Sequence, residues 1–96
     1  MVERKILSDS EIAAALEKIA GWQLKNGRLS KTFKFDSFAR AIGWMVAISI
    51  YADKLDHHPD WSNVYNRVSV ELFTHDLDAL STWDVALAQH MDQLSA

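Results

Sequence analysis

Trp22-Gln23-Leu24-Lys25-Asn26-Gly27-Arg28-Leu29-Ser30-Lys31-Thr32-Phe33-Lys34-Phe35 is the stretch from which the fold can be read. Asn-Gly is the strongest short hairpin signal, because both central residues of such a turn need positive φ. Apolar and polar residues alternate on either side of it, the period of a strand with one buried face. A two-residue turn at Asn26-Gly27 pairs Leu24 with Leu29 and Trp22 with Lys31. Leu29, Phe33 and Phe35 then form the buried face of the second strand. Lys31 falls on that face too, which places it near a sheet edge.

Before the hairpin lies a helix. Ser8 and Glu11 make a capping box, and Leu7 and Ile12 are placed for a hydrophobic staple. Ile12, Ala15, Leu16 and Ile19 recur at helical spacing, and Gly21 is the expected stop. After the hairpin, Asp36 is a suitable N-cap for a long helix that runs to about Leu55. Phe38, Ile42, Met45 and Ala52 share one face of it. Ala41, Trp44, Ile48, Tyr51 and Leu55 share the next, and Val46 and Ile50 widen the stripe. That apolar arc covers roughly two-thirds of the circumference, more than one sheet face can bury. The surplus is expected to pack on another subunit.

The remainder repeats the pattern. Leu55-Asp56-His57-His58-Pro59-Asp60-Trp61 reads as a polar loop, and Val64, Tyr65, Val68, Val70 and Leu72 as β structure. Asn66-Arg67 turns this stretch into a second hairpin, with a single bent strand as the alternative. Ser81 and Asp84 cap a last helix that faces Val85, Leu87, Ala88, Met91 and Leu94 inward. The fold class is therefore α+β, in the order α-ββ-α-ββ-α: a four-stranded antiparallel sheet with three helices on one face. Residues 1–96 form a single domain, as a length of 96 residues requires.

Composition removes several functions. Ten basic against thirteen acidic side chains give a net charge of −3, without the basic excess of a nucleic-acid or membrane-surface binder. There is no cysteine, hence no disulfide, thiolate metal site or cysteine nucleophile. No apolar run approaches the ~20 residues of a membrane span. The N-terminal stretch has no signal-peptide core, so a soluble cytoplasmic protein is expected. Ser62, Ser69 and Ser81 lack a nucleophile-elbow context, and there is no Gly-rich phosphate loop.

The chemistry-bearing residues are histidines. His57-His58 and His75 border the second hairpin on either side and can converge at one end of the sheet. Imidazole both gives and takes a proton near neutral pH. Asp53 lies one helical turn before His57, and Asp56 is adjacent; either can orient an imidazole. Trp61 and Tyr65 can wall the pocket and stack on a flat ring. Composition alone slightly favours a solvated turn. A zinc or iron site is the other alternative, ranked below proton transfer because adjacent histidines diverge and no metal spacing is present. His90 is expected on the exposed surface.

The run Asp53-Lys54-Leu55-Asp56-His57-His58-Pro59-Asp60-Trp61-Ser62-Asn63-Val64-Tyr65-Asn66-Arg67-Val68 resembles the signature of the pterin-4a-carbinolamine dehydratases. Thr74-His75-Asp76 resembles the second motif of that family, and Asp84-Val85-Ala86-Leu87-Ala88 the third. The likeness spans essentially the whole chain. It implies dehydration of 4a-hydroxytetrahydropterin to quinonoid dihydropterin, with no metal or organic cofactor, since the pterin is the substrate. It implies a homodimer or homotetramer, which suits the second helix; the charge balance already argues against a nucleic-acid or membrane partner. By the resemblance His57, His58 and His75, with Asp53 and Asp84, are the catalytic set. The pterin-binding stretches correspond to Asp56-His57-His58 and Phe73-Thr74-His75-Asp76, beside Trp61. Phe73 stands where the family commonly has serine, and Asp78-Ala79 replaces a frequent Gly-Gly; Asp76 and Trp83 also differ from common choices. The alternative is a pterin-binding or coactivator-like protein-interaction module without turnover.

Overall fold

The order α-ββ-α-ββ-α is the observed one. The computed structural model describes residues 2–95. Its elements are α1 (Asp9–Lys18), β1 (Gln23–Lys25), β2 (Arg28–Lys34), α2 (Phe38–Leu55), β3 (Asp60–Val64), β4 (Arg67–Leu72), a short 3-10 turn (His75–Leu77) and α3 (Thr82–Leu94). The strands form one antiparallel sheet in the order β1-β2-β4-β3. The register Leu29↔Leu72, Lys31↔Val70 and Phe33↔Val68 puts the apolar residues of the two central strands on one face. Ser30, Thr32, Ser69 and Glu71 take the other, because side chains alternate along a strand. All the helices cover the apolar face, where Trp44 and Ile48 of α2 and Leu87 and Met91 of α3 complete the core. Among the described residues no helix is long and apolar enough to cross a membrane.

The first hairpin follows its turn residues. Asn26 and Gly27 have φ of 53° and 77°, and Leu24 pairs with Leu29. The second hairpin turns one residue earlier than Asn66-Arg67: Val64 pairs with Arg67, so Tyr65 and Asn66 form the turn. Side-chain amides explain the shift. Asn66 Nδ2 donates to Phe35 O at 2.9 Å, and Asn63 Nδ2 to Tyr65 O and Arg67 O. These bonds hold Tyr65 at φ 53°, a conformation unusual for an aromatic residue.

Three further expectations need correction, and Lys31 gains a partner. The cap of α2 is Ser37, whose Oγ accepts from Arg40 N, and not Asp36. Lys31 does lie near an edge, since β1 pairs with β2 only as far as Gln23↔Ser30, but its ammonium does not run to open solvent. Its Nζ instead donates to Ala20 O at 2.6 Å and to Asp92 Oδ1 at 2.8 Å, and Asp92 also accepts from Trp22 Nε1. A half-buried lysine is satisfied there by an ion pair and a carbonyl. α1 stops at Lys18, three residues before the φ 81° glycine Gly21. Leu94 is exposed rather than inward. On α2, Phe38, Ile42, Val46 and Ile50 lie four apart and are 37 to 56% exposed, which is the apolar surplus read from the sequence.

Candidate active site

α2 ends by reversing. Asp56 takes the left-handed conformation at φ 55°, and its N–H bonds back to Ala52 O and Asp53 O. The next N–H, that of His57, also donates to Ala52 O at 3.1 Å. This reversal tucks His57 against the start of α3. His57 is only 9% exposed, and its Nε2 lies 2.6 Å from Asp84 Oδ1.

Asp84 is completely buried. It occupies the third position of α3, where it closes the Ser81 capping box. Its Oδ2 accepts from Ser81 N–H at 2.9 Å and from Thr74 Oγ1 at 2.8 Å. Thr74 has one hydroxyl proton and spends it on the carboxylate, so Ser81 Oγ donates to Thr74 Oγ1 at 2.7 Å. Three donors thus converge on an acceptor-only group. Because Asp84 accepts, Nε2 of His57 carries a proton, and Nδ1 is left for whatever enters the site. Among the described residues no buried side-chain nitrogen or oxygen lacks a partner.

The other histidines are more open. His58 Nε2 lies 2.9 Å from Asp53 Oδ1, both groups being exposed. Asp53 therefore orients His58, and Asp84 orients His57. His75 opens the 3-10 turn and meets the Phe73 ring edge to face at 5.3 Å. The Arg28 guanidinium lies 5.2 Å from the centre of the same Phe73 ring. Trp83 sits 5.9 Å from His57, ring to ring. Arg4 lies over Trp83 at 5.2 Å and bonds Asp76 Oδ2 at 2.5 Å. That hydrogen bond, foremost, holds the Asp76 carboxyl below the usual carboxylate range, and the charges of Arg4 and His57 act in the same sense. Asp78 takes φ 50° at the end of the 3-10 turn, the conformation for which glycine is the easier residue.

Some sequence-derived candidates stand elsewhere. Trp61 packs on Trp44 at 6.1 Å, at the margin of the core. Tyr65 is 65% exposed, in the turn at the opposite end of the hairpin from His58, and walls nothing there. His90 is not free surface: it is half-buried and stacks on Tyr51 at 4.0 Å. Asp56 acts through its backbone as the helix terminus. Arg4 escaped the sequence reading altogether, and Ser81 was visible only as a cap. Among the described residues no three histidine, aspartate or glutamate side chains group as a metal ion would need.

A buried carboxylate on a histidine, beside two open histidines, is the arrangement to compare with known proteins. Residues 5–94 match the family described as Pterin 4 alpha carbinolamine dehydratase. The chain belongs to that family. A relative from Jannaschia sp. (strain CCS1), whose name places it among the pterin-4-alpha-carbinolamine dehydratases, is 50% identical over 93 residues, covering 93% of this chain and 95% of its own. One from Ruegeria pomeroyi, with the same family name, is 53% identical over 76 residues, 77% of this chain and 78% of its own. A crystal structure described as a transcriptional coactivator/pterin dehydratase from Brucella melitensis superposes with a TM-score of 0.91 at 40% identity. It covers 96% of this chain and 100% of the other. The four-stranded sheet and three helices are thus the dehydratase fold.

Proposed function

We propose that this member of the family dehydrates 4a-hydroxytetrahydropterin to quinonoid dihydropterin and water, using its own imidazoles and no further cofactor. The observation that carries the reading is the buried Asp84–His57 pair at 2.6 Å, anchored by Thr74 and Ser81. A loop histidine without a function needs no such anchor.

The reaction breaks the C4a–oxygen bond and forms the C4a–N5 double bond. A proton must reach the departing hydroxyl, and another must leave N5. His57, held by Asp84, donates to the hydroxyl, and its carboxylate partner balances the imidazolium. His75, exposed at the start of the 3-10 turn, takes the N5 proton. The reverse assignment uses the same two groups. Each positioned acid or base contributes on the order of 10²- to 10⁴-fold. His58, oriented by Asp53, positions the ring. Backbone groups from Phe73 to His75 and at Asp56 supply hydrogen bonds to the pyrimidine edge.

The test is stopped-flow ultraviolet absorbance on 4a-hydroxytetrahydropterin generated in situ. Micromolar protein should hasten its decay to quinonoid dihydropterin. Tight pterin binding with no acceleration would leave a binding module instead.

The exposed row Phe38, Ile42, Val46 and Ile50 supports a homodimer or homotetramer built through α2. Val46→Lys with Ile50→Lys should convert the assembly to monomers in sedimentation velocity. A wild-type protein already monomeric at micromolar concentration would defeat this part of the reading.

A further inference from the structure

The first residues are laced onto the start of α3. Leu7 N–H donates to Leu80 O at 3.0 Å, Thr82 N–H to Lys5 O at 2.9 Å and Lys5 N–H to Thr82 Oγ1 at 3.1 Å. Thr82 Oγ1 donates in turn to Glu3 O, and Trp83 Nε1–H to Val2 O at 2.8 Å. Backbone held on both sides of residue 4 fixes the origin of its side chain. Arg4 then reaches between two parts of the site. Its guanidinium stacks on Trp83, which adjoins His57, and bonds Asp76, which follows His75.

The dehydration chemistry needs neither residue, since imidazoles carry both protons. Yet ordering an arginine removes much of its rotamer freedom, and a partly exposed site gives little ion-pair energy in return. The chemistry of the pair suggests its use. The Arg4 side chain is 36% exposed and that of Asp76 65%, so both stay reachable from solvent. A guanidinium offers only donors and a carboxylate only acceptors. Side by side they match a group that accepts and donates at once, which is a hydroxyl. A hydroxylated substituent can accept from Arg4 and donate to Asp76 while the pair stays intact. An anionic substituent reaches Arg4 only by displacing Asp76, and then faces that carboxylate. An alkyl substituent satisfies neither group.

We propose that Arg4 and Asp76 form a specificity-determining rim that selects 4a-hydroxytetrahydropterins bearing an uncharged, hydroxylated ring substituent over alkyl or anionic ones. The proposal rests on the dehydratase reading above. It is tested by comparing kcat/KM for carbinolamines with a dihydroxypropyl, a methyl and a phosphorylated substituent. Wild type should favour the dihydroxypropyl over the methyl compound by about ten-fold, the yield of two modest net hydrogen bonds at an open rim. Arg4→Met should lose about three-fold of that preference, one such bond, through KM rather than kcat. Asp76→Asn should raise the relative kcat/KM of the phosphorylated compound.

Equal ratios in wild type and both variants would overturn the rim while leaving the dehydratase intact. If wild type accelerates none of the three, the dehydratase reading falls. The order of Kd values for the three tetrahydropterins, with and without Arg4→Met, then still decides the rim: the same preference supports it and indifference overturns it.

Discussion

Asp84→Asn is expected to lower turnover by on the order of 10²- to 10⁴-fold and stability by about 2 kcal/mol. The variant has nearly the same shape, so the effect reads hydrogen bonding and charge rather than packing. Three donors meet the carboxylate: His57 Nε2–H, Thr74 Oγ1–H and Ser81 N–H. An asparagine offers one oxygen and one NH2. If its oxygen serves Thr74 and Ser81, the NH2 faces His57 Nε2, and the imidazole must move its proton to Nδ1. If the oxygen serves His57, the NH2 faces the Ser81 amide, which cannot rotate away and is left buried without a partner. The first arrangement is the cheaper, and it fixes the Nδ1–H tautomer, so that the imidazolium that serves as the acid has neither an acceptor at Nε2 nor an anion to balance it. In hydrolase triads the same change costs about 10⁴-fold for this reason. Stopped-flow turnover, urea denaturation and ¹⁵N imidazole resonances read the three consequences separately. Wild-type turnover in a variant whose His57 has changed tautomer would remove His57 from the chemistry.

What could be read beforehand was what is local. Asn26-Gly27 states its own turn, and the Ser8–Glu11 and Ser81–Asp84 boxes state their own helix starts. The errors arose where two local choices were equivalent or a distant partner decided. Asp36 and Ser37 can both cap a helix, and nothing within a few residues ranks them. The turn at Tyr65-Asn66 is set by an amide that reaches Phe35, 31 residues away. Lys31 looked misplaced because Asp92, its partner, is 61 residues further on.

The site divides in the same way. Its histidines and aspartates stood out in the sequence, but their pairing did not. Asp53 is far nearer than Asp84 to His57 along the chain, yet it serves His58. The left-handed residue Asp56 turns His57 away from its own helix and onto Asp84, 27 residues on. Arg4 reaches the site from 72 residues away and belongs to no motif. Only the lacing of Val2–Leu7 onto α3 brings it there.

His57→Ala and His75→Ala are expected to cost similar activity and very different stability. Each removes one of two proton carriers, so each should reduce kcat by on the order of 10²- to 10⁴-fold. His57 is buried, and its loss takes from Asp84 one of three donors while opening a cavity beside it. A buried acceptor stripped of its donor costs about 1 to 3 kcal/mol. His75 is exposed and rests only on the edge of Phe73, so its removal should stay within about 0.5 kcal/mol. Urea midpoints would thus fall for the first variant and hold for the second, under equal losses of turnover. The double variant carries the sharper information. If the two protons move in one step, either deletion abolishes that step, and the double loss should resemble the larger single loss rather than their product. Multiplying losses would mean two separable steps. Undiminished turnover in His75→Ala would take the base from His75, and His58, already held by Asp53, would then be the group to remove.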